Sequence, residues 1–154
     1  MNKSRYLVHA ASIAAVYAVL TIAFAPFSYG QIQVRFAEAL TILPFFTSAA
    51  IPGLFVGCIV ANFFGPGGIP DVVFGSAATL IAAYISYKMP AKWLVPLPPV
   101  IANGLIIGYL LHYLYQLPLL ITIGWVALGE LISCYFIGYP LLLILEKYRD
   151  KIFK

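Results

Sequence analysis

"IQVRFAEALTILPFF", residues 32–46, carries an arginine and a glutamate three positions apart in an otherwise apolar run, and a second apolar run follows from residue 53. Whether 36–65 forms one long helix or two short ones decides the fold. The 154 residues are 63% hydrophobic and 9% charged, with a mean hydropathy of +0.98, whereas soluble domains carry about 25% charged residues. Such a chain belongs in a bilayer. Each crossing takes about 20 apolar residues, somewhat fewer where neighbours shield the ends, so the length accommodates roughly five to seven helices. No segment shows the ten-residue alternation of a membrane barrel, and helices are the remaining way to satisfy the backbone in lipid.

The apolar runs fall near 6–27, 36–50, 53–65, 72–88, 98–115 and 119–145, with Pro and Gly marking loops at Pro52-Gly53, "GPGGIPD" (65–71), "MPAKW" (89–93) and Pro118. Lys and Arg near helix ends favour the cytoplasm. With Lys3 and Arg5 inside, two crossings within 36–65 bring Lys88, Lys92, Lys147, Arg149, Lys151 and Lys154 inside as well. A single crossing there would put Lys88 and Lys92 outside. The expectation is therefore an all-α integral membrane protein, one domain over 1–154, with six transmembrane helices and both termini cytoplasmic. Eight of the nine basic residues then lie on the favoured side, and Arg35 is the exception.

The same clustering argues against nucleic acid as a partner, because the formal charge of +4 sits in short groups between apolar runs rather than along one face. Cys58 and Cys134 lie in apolar segments and read as small buried thiols, not as a disulfide or a metal pair. Residues 1–28 have the basic start and an "AFA" (23–25) that a secretory signal would show, but the apolar stretch is long for that role. Ala10, Ala14 and Ala18 instead form an AxxxAxxxA row on one face of the first helix. Small residues four apart let another helix approach closely in lipid. Packing within the bundle and docking onto another membrane subunit are both open for this row; Gly104 and Gly108 make a similar pair.

In this topology the polar residues gather in the outer half. Arg35 and Glu38 begin the second helix, Asn62 ends the third and Asp71 starts the fourth, all on the outer side. Glu130 lies about 16 Å below the outer start of the sixth helix, with Trp125 roughly 8 Å nearer the surface. Asn103 falls near mid-membrane on the fifth helix, and His112 and Gln116 lie close to its outer end. Each has a structural reading. Asp71 after Pro70 can cap its helix; Arg35 and Glu38 can form a local i, i+3 pair; Asn62 and Asn103 can bond between helices; His112 can be an interfacial histidine. Glu130 is harder to explain that way, because a carboxylate near the bilayer centre costs about 2.5–3.5 kcal/mol and marks a functional site by default. An aromatic-lined cavity with carboxylates and amides suits a flat, nitrogen-rich ligand. A carboxylate accepts two parallel bonds from an amidine edge such as that of guanine, while an aromatic face stacks on the ring. Spacing alone does not select that ligand.

No P-loop, GxSxG, HExxH or Cys/His metal spacing occurs, so neither a catalytic constellation nor a cofactor is expected, and the protein reads as no enzyme. A transporter of this kind runs on an ion gradient or on energy supplied by a partner. No inverted repeat of the secondary-transporter type is evident.

The stretch "IQVRFAEALTILPFF", followed by "IPGLFVGCIVANFFGPGGIPDVVFGSAATLIAAY" (51–84), resembles the QueT family, substrate-binding S components of energy-coupling factor (ECF) transporters. The resemblance covers essentially the whole chain and rests on an R-[FIV]-[AS]-E-A-L-T-x-L-P element and an N-x-x-x…D-x-x-x-G-[ST] stretch. It implies a six-helix fold with cytoplasmic termini, and an alanine row, here Ala10, Ala14 and Ala18, that docks on a transmembrane T subunit. It also implies two cytoplasmic ATPase subunits and uptake of 7-aminomethyl-7-deazaguanine (prequeuosine). On that basis Glu130 is expected to meet the guanine-like edge and Trp125 to stack on it or close the pocket. Asn62 or Asn103 would meet the ring carbonyl and nitrogens, Asp71 or Glu38 the aminomethyl group, and Arg35 would hold Glu38 in place. An S component for another vitamin-like heterocycle, an ion-coupled carrier protonated at Glu130, and a purely structural assembly subunit are the competing expectations.

Overall fold

In a computed structural model, residues 2–29 and 33–152 are described; Lys154 of the terminal basic cluster lies outside them. The order is α1 (Lys3–Ala23), α2 (Ala25–Ser28), a 3₁₀ helix (Phe36–Phe45), α3 (Ala50–Phe63), α4 (Gly68–Tyr87), a 3₁₀ turn (Lys92–Leu94) and α5 (Leu97–Tyr115). A last rod follows from α6 (Leu119–Leu131) through a π-helical segment (Ile132–Gly138) to α7 (Tyr139–Lys147), and α8 (Arg149–Ile152) ends it. No strand occurs among the described residues. Four segments are long and apolar enough to cross a membrane: Lys3–Ala23, Gly68–Tyr87, Lys92–Tyr115 and Leu119–Lys147. Phe36–Phe45 and Ala50–Phe63 are shorter apolar helices.

The decisive run thus breaks into two pieces, but the break lies earlier than Pro52-Gly53. Proline is tolerated in the first turn of a helix, where its missing N–H has no intrahelical partner, and Pro52 occupies that turn of α3. The chain turns instead between Phe46 and Ala49. The first piece is a 3₁₀ helix with Pro44 inside it. At about 2.0 Å per residue its 10 residues reach roughly 20 Å, nearly the same as the 14 residues of α3 at about 1.5 Å each. Pro140 has a comparable effect on the last rod. It cannot donate to the carbonyl four residues back, and the helix widens into a π segment over the turns just before it.

The two irregular segments pack against each other at the centre, where a β-carbon added at Gly138 would stand 3.1 Å from the Ala39 carbonyl oxygen. Around them α1 and α3 run parallel in close contact. A β-carbon at Gly53 would lie 2.7 Å from the Ala10 carbonyl oxygen, and one at Gly57 would lie 2.8 Å from that of Ala14. Ala10 and Ala14 are half-buried there and Ala18 is buried, while Ala11 and Ala15 are exposed on α1. Gly104 and Gly108 serve the antiparallel α5–α6 pair, facing Ala127 and Ile123. Tyr17, Ile42, Leu54 and Leu142 fill the core between these seams. Large side chains such as Leu120 and Phe136 are more than 70% exposed, which only a lipid surround makes favourable.

Polar contacts fix which ends meet. Lys92 pairs with Glu146 at 2.6 Å, Tyr135 donates to the Trp93 carbonyl at 3.0 Å, and Tyr6 reaches the Ser48 carbonyl at 3.5 Å. The basic starts and ends of α1, α4, α5 and α7 therefore share one end of the bundle. Tyr29, Arg35, Gly67 and Asp71 lie at the other.

Gly57→Ala should lower thermal stability in detergent by about 1–3 kcal/mol, since the added methyl meets backbone and Tyr17 Cβ within 3.0 Å. Gly124→Ala, whose β-carbon would meet nothing within 4 Å, should be neutral or stabilising by up to about 1 kcal/mol. Equal melting shifts for the two would show that the α1–α3 seam is looser than this packing requires.

Candidate functional site

At the end of the bundle away from the basic cluster, a cavity of about 560 Å³ opens between the α5–α6 corner and the start of α4. Its walls include Tyr29, Gln33, Asp71, Thr122 and Trp125, with leucines from α5. The corner itself is fixed by Gln116, which ends α5 in the left-handed conformation (φ 55°), and by a hydrogen bond between the His112 ring and the Leu117 carbonyl. His112 therefore has a structural partner. Tyr29 donates to the Ala61 carbonyl at 2.6 Å. Burial pushes its phenol above the ordinary value, so it stays a neutral donor at any physiological pH.

Asp71 belongs both to this cavity and to a buried polar layer. Its Oδ2 lies 3.5 Å from Arg35 Nη2, with both side chains under 10% exposed. Arg35 also donates through Nε to the Ser28 carbonyl at 3.3 Å, and its guanidinium lies 5.5 Å from the centre of the Tyr29 ring. Asn62 Nδ2 donates to the Asp71 backbone carbonyl at 3.0 Å and approaches Cys58 Sγ at 3.4 Å. This reach depends on Gly75, where a β-carbon would stand 2.4 Å from Asn62 Nδ2 and 3.3 Å from Asp71 Oδ1. Arg35, Asn62 and Asp71 thus form one cluster.

Glu38 lies in a second cluster. Tyr17 on α1 donates its hydroxyl to Glu38 Oε1, and Thr41 donates to the Glu38 carbonyl at 2.6 Å. Asn103 lies beside both Glu38 and Glu130. Cys134 reaches the Glu38 carbonyl and Glu130 Oε2, each at 3.6 Å. Glu130 is 3% exposed and Glu38 is fully buried. The expected Arg35–Glu38 pair is replaced by Arg35–Asp71 and Tyr17–Glu38. The i, i+3 rule presumes that both residues are helical, but Arg35 is the N-cap of the 3₁₀ helix, with extended backbone at φ −85° and ψ 101°. Its side chain is therefore free to cross to α4.

Tyr17, Thr41 and Ser76 were not singled out from the sequence, while Cys134 is the buried free thiol expected from its apolar segment, though it was not expected beside the two glutamates. A tyrosine or cysteine inside an apolar helix carries no signal of what it touches; Ser76 had one, its place in the D-x-x-x-G-[ST] element. Trp125 lines the cavity together with Asp71, whereas Glu38, Asn103 and Glu130 are not among its lining residues.

Among the described residues, five buried side-chain atoms have no hydrogen-bond partner, Glu38 Oε2, Asn62 Oδ1, Asp71 Oδ1, Ser76 Oγ and Asn103 Nδ2, and a sixth, Arg35 Nη2, has only its 3.5 Å ion-pair contact with Asp71. Buried polar atoms are paired in the great majority of cases, and each unpaired one costs about 1–3 kcal/mol, more if charged. All six sit on the 3₁₀ helix, its cap, α3, α4 and α5.

Replacing either Arg35 by Gln or Asp71 by Asn should destabilise the fold by about 3–5 kcal/mol, because each leaves a buried charge uncompensated. The double replacement should cost clearly less than the sum of the two in detergent unfolding. Strict additivity would show that the two side chains do not interact.

The model of a family described as "QueT transporter" matches residues 7–147, which reach from α1 to the end of α7. "Queuosine precursor transporter QueT" of Lactococcus lactis subsp. cremoris (strain MG1363) is 30% identical over 154 aligned residues, covering 89% of each chain. No solved structure matches. With its several apolar helices and a family match over nearly its full length, the chain is a multi-pass protein of the cell membrane and belongs to the QueT transporter family.

Proposed function

We propose that this protein is the substrate-capturing S component of an ECF importer for the queuosine precursor 7-aminomethyl-7-deazaguanine. The observation that carries the reading is the unpartnered polar set. Glu38 Oε2, Asn62 Oδ1 and Asp71 Oδ1 are acceptors, whereas Asn103 Nδ2 is a donor and Arg35 Nη2 keeps N–H capacity beyond its contact with Asp71. A ligand that completes them brings several N–H groups and at least two acceptors, and it is favoured by positive charge, since three buried carboxylates face one buried arginine. The deazaguanine has N1–H, a 2-amino group, a pyrrole N–H and an aminomethyl cation as donors, with a ring carbonyl and N3 as acceptors. The relative's name, which specifies a queuosine precursor, points the same way.

In this reading Glu130 accepts from the guanine-like edge and Trp125 covers the ring. Asn103 and Asn62 meet the ring carbonyl and remaining ring nitrogens. Glu38, with Oε1 held by Tyr17 and Oε2 unpartnered, receives the aminomethyl cation, while Arg35 holds Asp71 at the mouth. The protein is one six-helix membrane unit, with its basic end and both termini in the cytoplasm. The cavity then faces outward. Docking onto the transmembrane T subunit falls to α1, where the Ala10, Ala14 and Ala18 row is flanked by exposed Ala11 and Ala15; two ATPase subunits supply the energy.

Calorimetry on the purified protein should give tight binding of the deazaguanine, with guanine much weaker and riboflavin inert. Glu130→Gln should weaken binding about 10- to 100-fold, the worth of hydrogen bonds to a charged acceptor. Unchanged affinity in that variant would remove Glu130 from the site. In vesicles, uptake should need ATP and the partner subunits. Uptake by the isolated protein under a proton or sodium gradient would instead establish a carrier, with Glu130 as the protonated group.

A further inference from the structure

We infer that Ser76 is a specificity-determining contact whose hydroxyl donates to the ring carbonyl of the bound ligand. The inference rests on the deazaguanine reading above and adds a residue to it. A serine or threonine buried in a membrane helix ordinarily bonds back to the carbonyl four residues earlier, and this chain follows the habit. Thr21 donates to the Tyr17 carbonyl at 2.9 Å, Ser28 to that of Phe24 at 3.0 Å and Ser133 to that of Gly129 at 3.1 Å. Other buried hydroxyls have tertiary or local partners. Ser86 reaches the Val95 carbonyl at 2.8 Å, Thr79 reaches Cys58 Sγ at 3.4 Å, and Thr41 reaches the Glu38 carbonyl at 2.6 Å. Ser76 is 2% exposed, yet its Oγ has no partner, alone among the buried hydroxyls of the described residues.

Its position gives that vacancy a meaning. Ser76 follows Gly75, the residue whose missing β-carbon lets Asn62 and Asp71 approach α4. It lies about 7.5 Å further along the helix axis than Asp71, on the helix packed by α3, α5 and the 3₁₀ helix. Those elements carry Asn62, Asn103 and Glu38, which hold three of the other unpartnered atoms. Within this set the acceptors outnumber the donors. A hydroxyl can do either, and the carbonyl oxygen of a guanine-like ring, with two lone pairs, is the ligand atom for which the set is shortest of donors. The sequence element D-x-x-x-G-S at 71–76 then has a physical basis: an acid, a glycine that leaves room for the amide, and a hydroxyl kept free of its own helix.

The test is Ser76→Ala in the full-length protein in detergent, with three readouts. Without ligand, the melting temperature should stay the same or rise slightly, because the hydroxyl bonds nothing in the unliganded fold. Affinity for 7-aminomethyl-7-deazaguanine should fall about tenfold, the effect of one lost neutral hydrogen bond, and ligand-induced thermal stabilisation should shrink with it. An analogue that lacks the ring carbonyl should bind the wild type and the variant equally. If the wild type binds the deazaguanine and Ser76→Ala binds it just as well, or if the variant melts lower without ligand, the Ser76 assignment is overturned and the substrate reading survives. The same holds if the analogue discriminates between the two proteins. A wild type that does not bind the deazaguanine overturns the substrate reading and this assignment together.

Discussion

The Arg35–Asp71 pair is the constraint around which the end of the bundle opposite the basic cluster is arranged. An arginine taken into the low-dielectric interior must be compensated, and Asp71 supplies the countercharge from the start of α4. That single requirement ties the cap of the 3₁₀ helix to α4. Through the Asn62 bond to the Asp71 carbonyl it also ties in the end of α3. The Ser28 carbonyl and the Tyr29 ring hold the other side of the guanidinium. Because Arg35 is committed to Asp71, Glu38 is left to the phenol of Tyr17, and one of its oxygens stays available.

The division of the chain into helices was legible because lipid enforces it. Apolar stretches bounded by Pro, Gly and basic residues have few alternatives to helix, and the segments of α1, α4, α5 and the last rod follow the hydropathy closely. The conformation within 36–45 and 132–138 was not legible. A 3₁₀ stretch and a π stretch differ from an α-helix by small changes of hydrogen-bond register, and Pro44, Pro140 and the mutual packing of the two segments decide them. Pro52 misled as a boundary because the first turn of a helix accepts proline.

The burial of the rare charges was more legible than their pairing. Arg35, Glu38, Asp71 and Glu130 stand out because charge is rare in this chain, and the structure buries all four. Their pairing depended on the extended cap conformation of Arg35 and on Tyr17 arriving from a helix 21 positions earlier, neither of which spacing reveals. The alanine row likewise showed that α1 would be approached closely. That Gly53 and Gly57 of α3 are what approach it became visible only in three dimensions.

A structure determined with 7-aminomethyl-7-deazaguanine should place the ring within hydrogen-bond distance of Glu130, Asn103 and Asn62, with the aminomethyl nitrogen on Glu38 Oε2 and Trp125 over the ring. A ligand held only in the cavity lined by Tyr29, Asp71 and Trp125, with the buried atoms still unpaired or bridged by water, would overturn the proposed site.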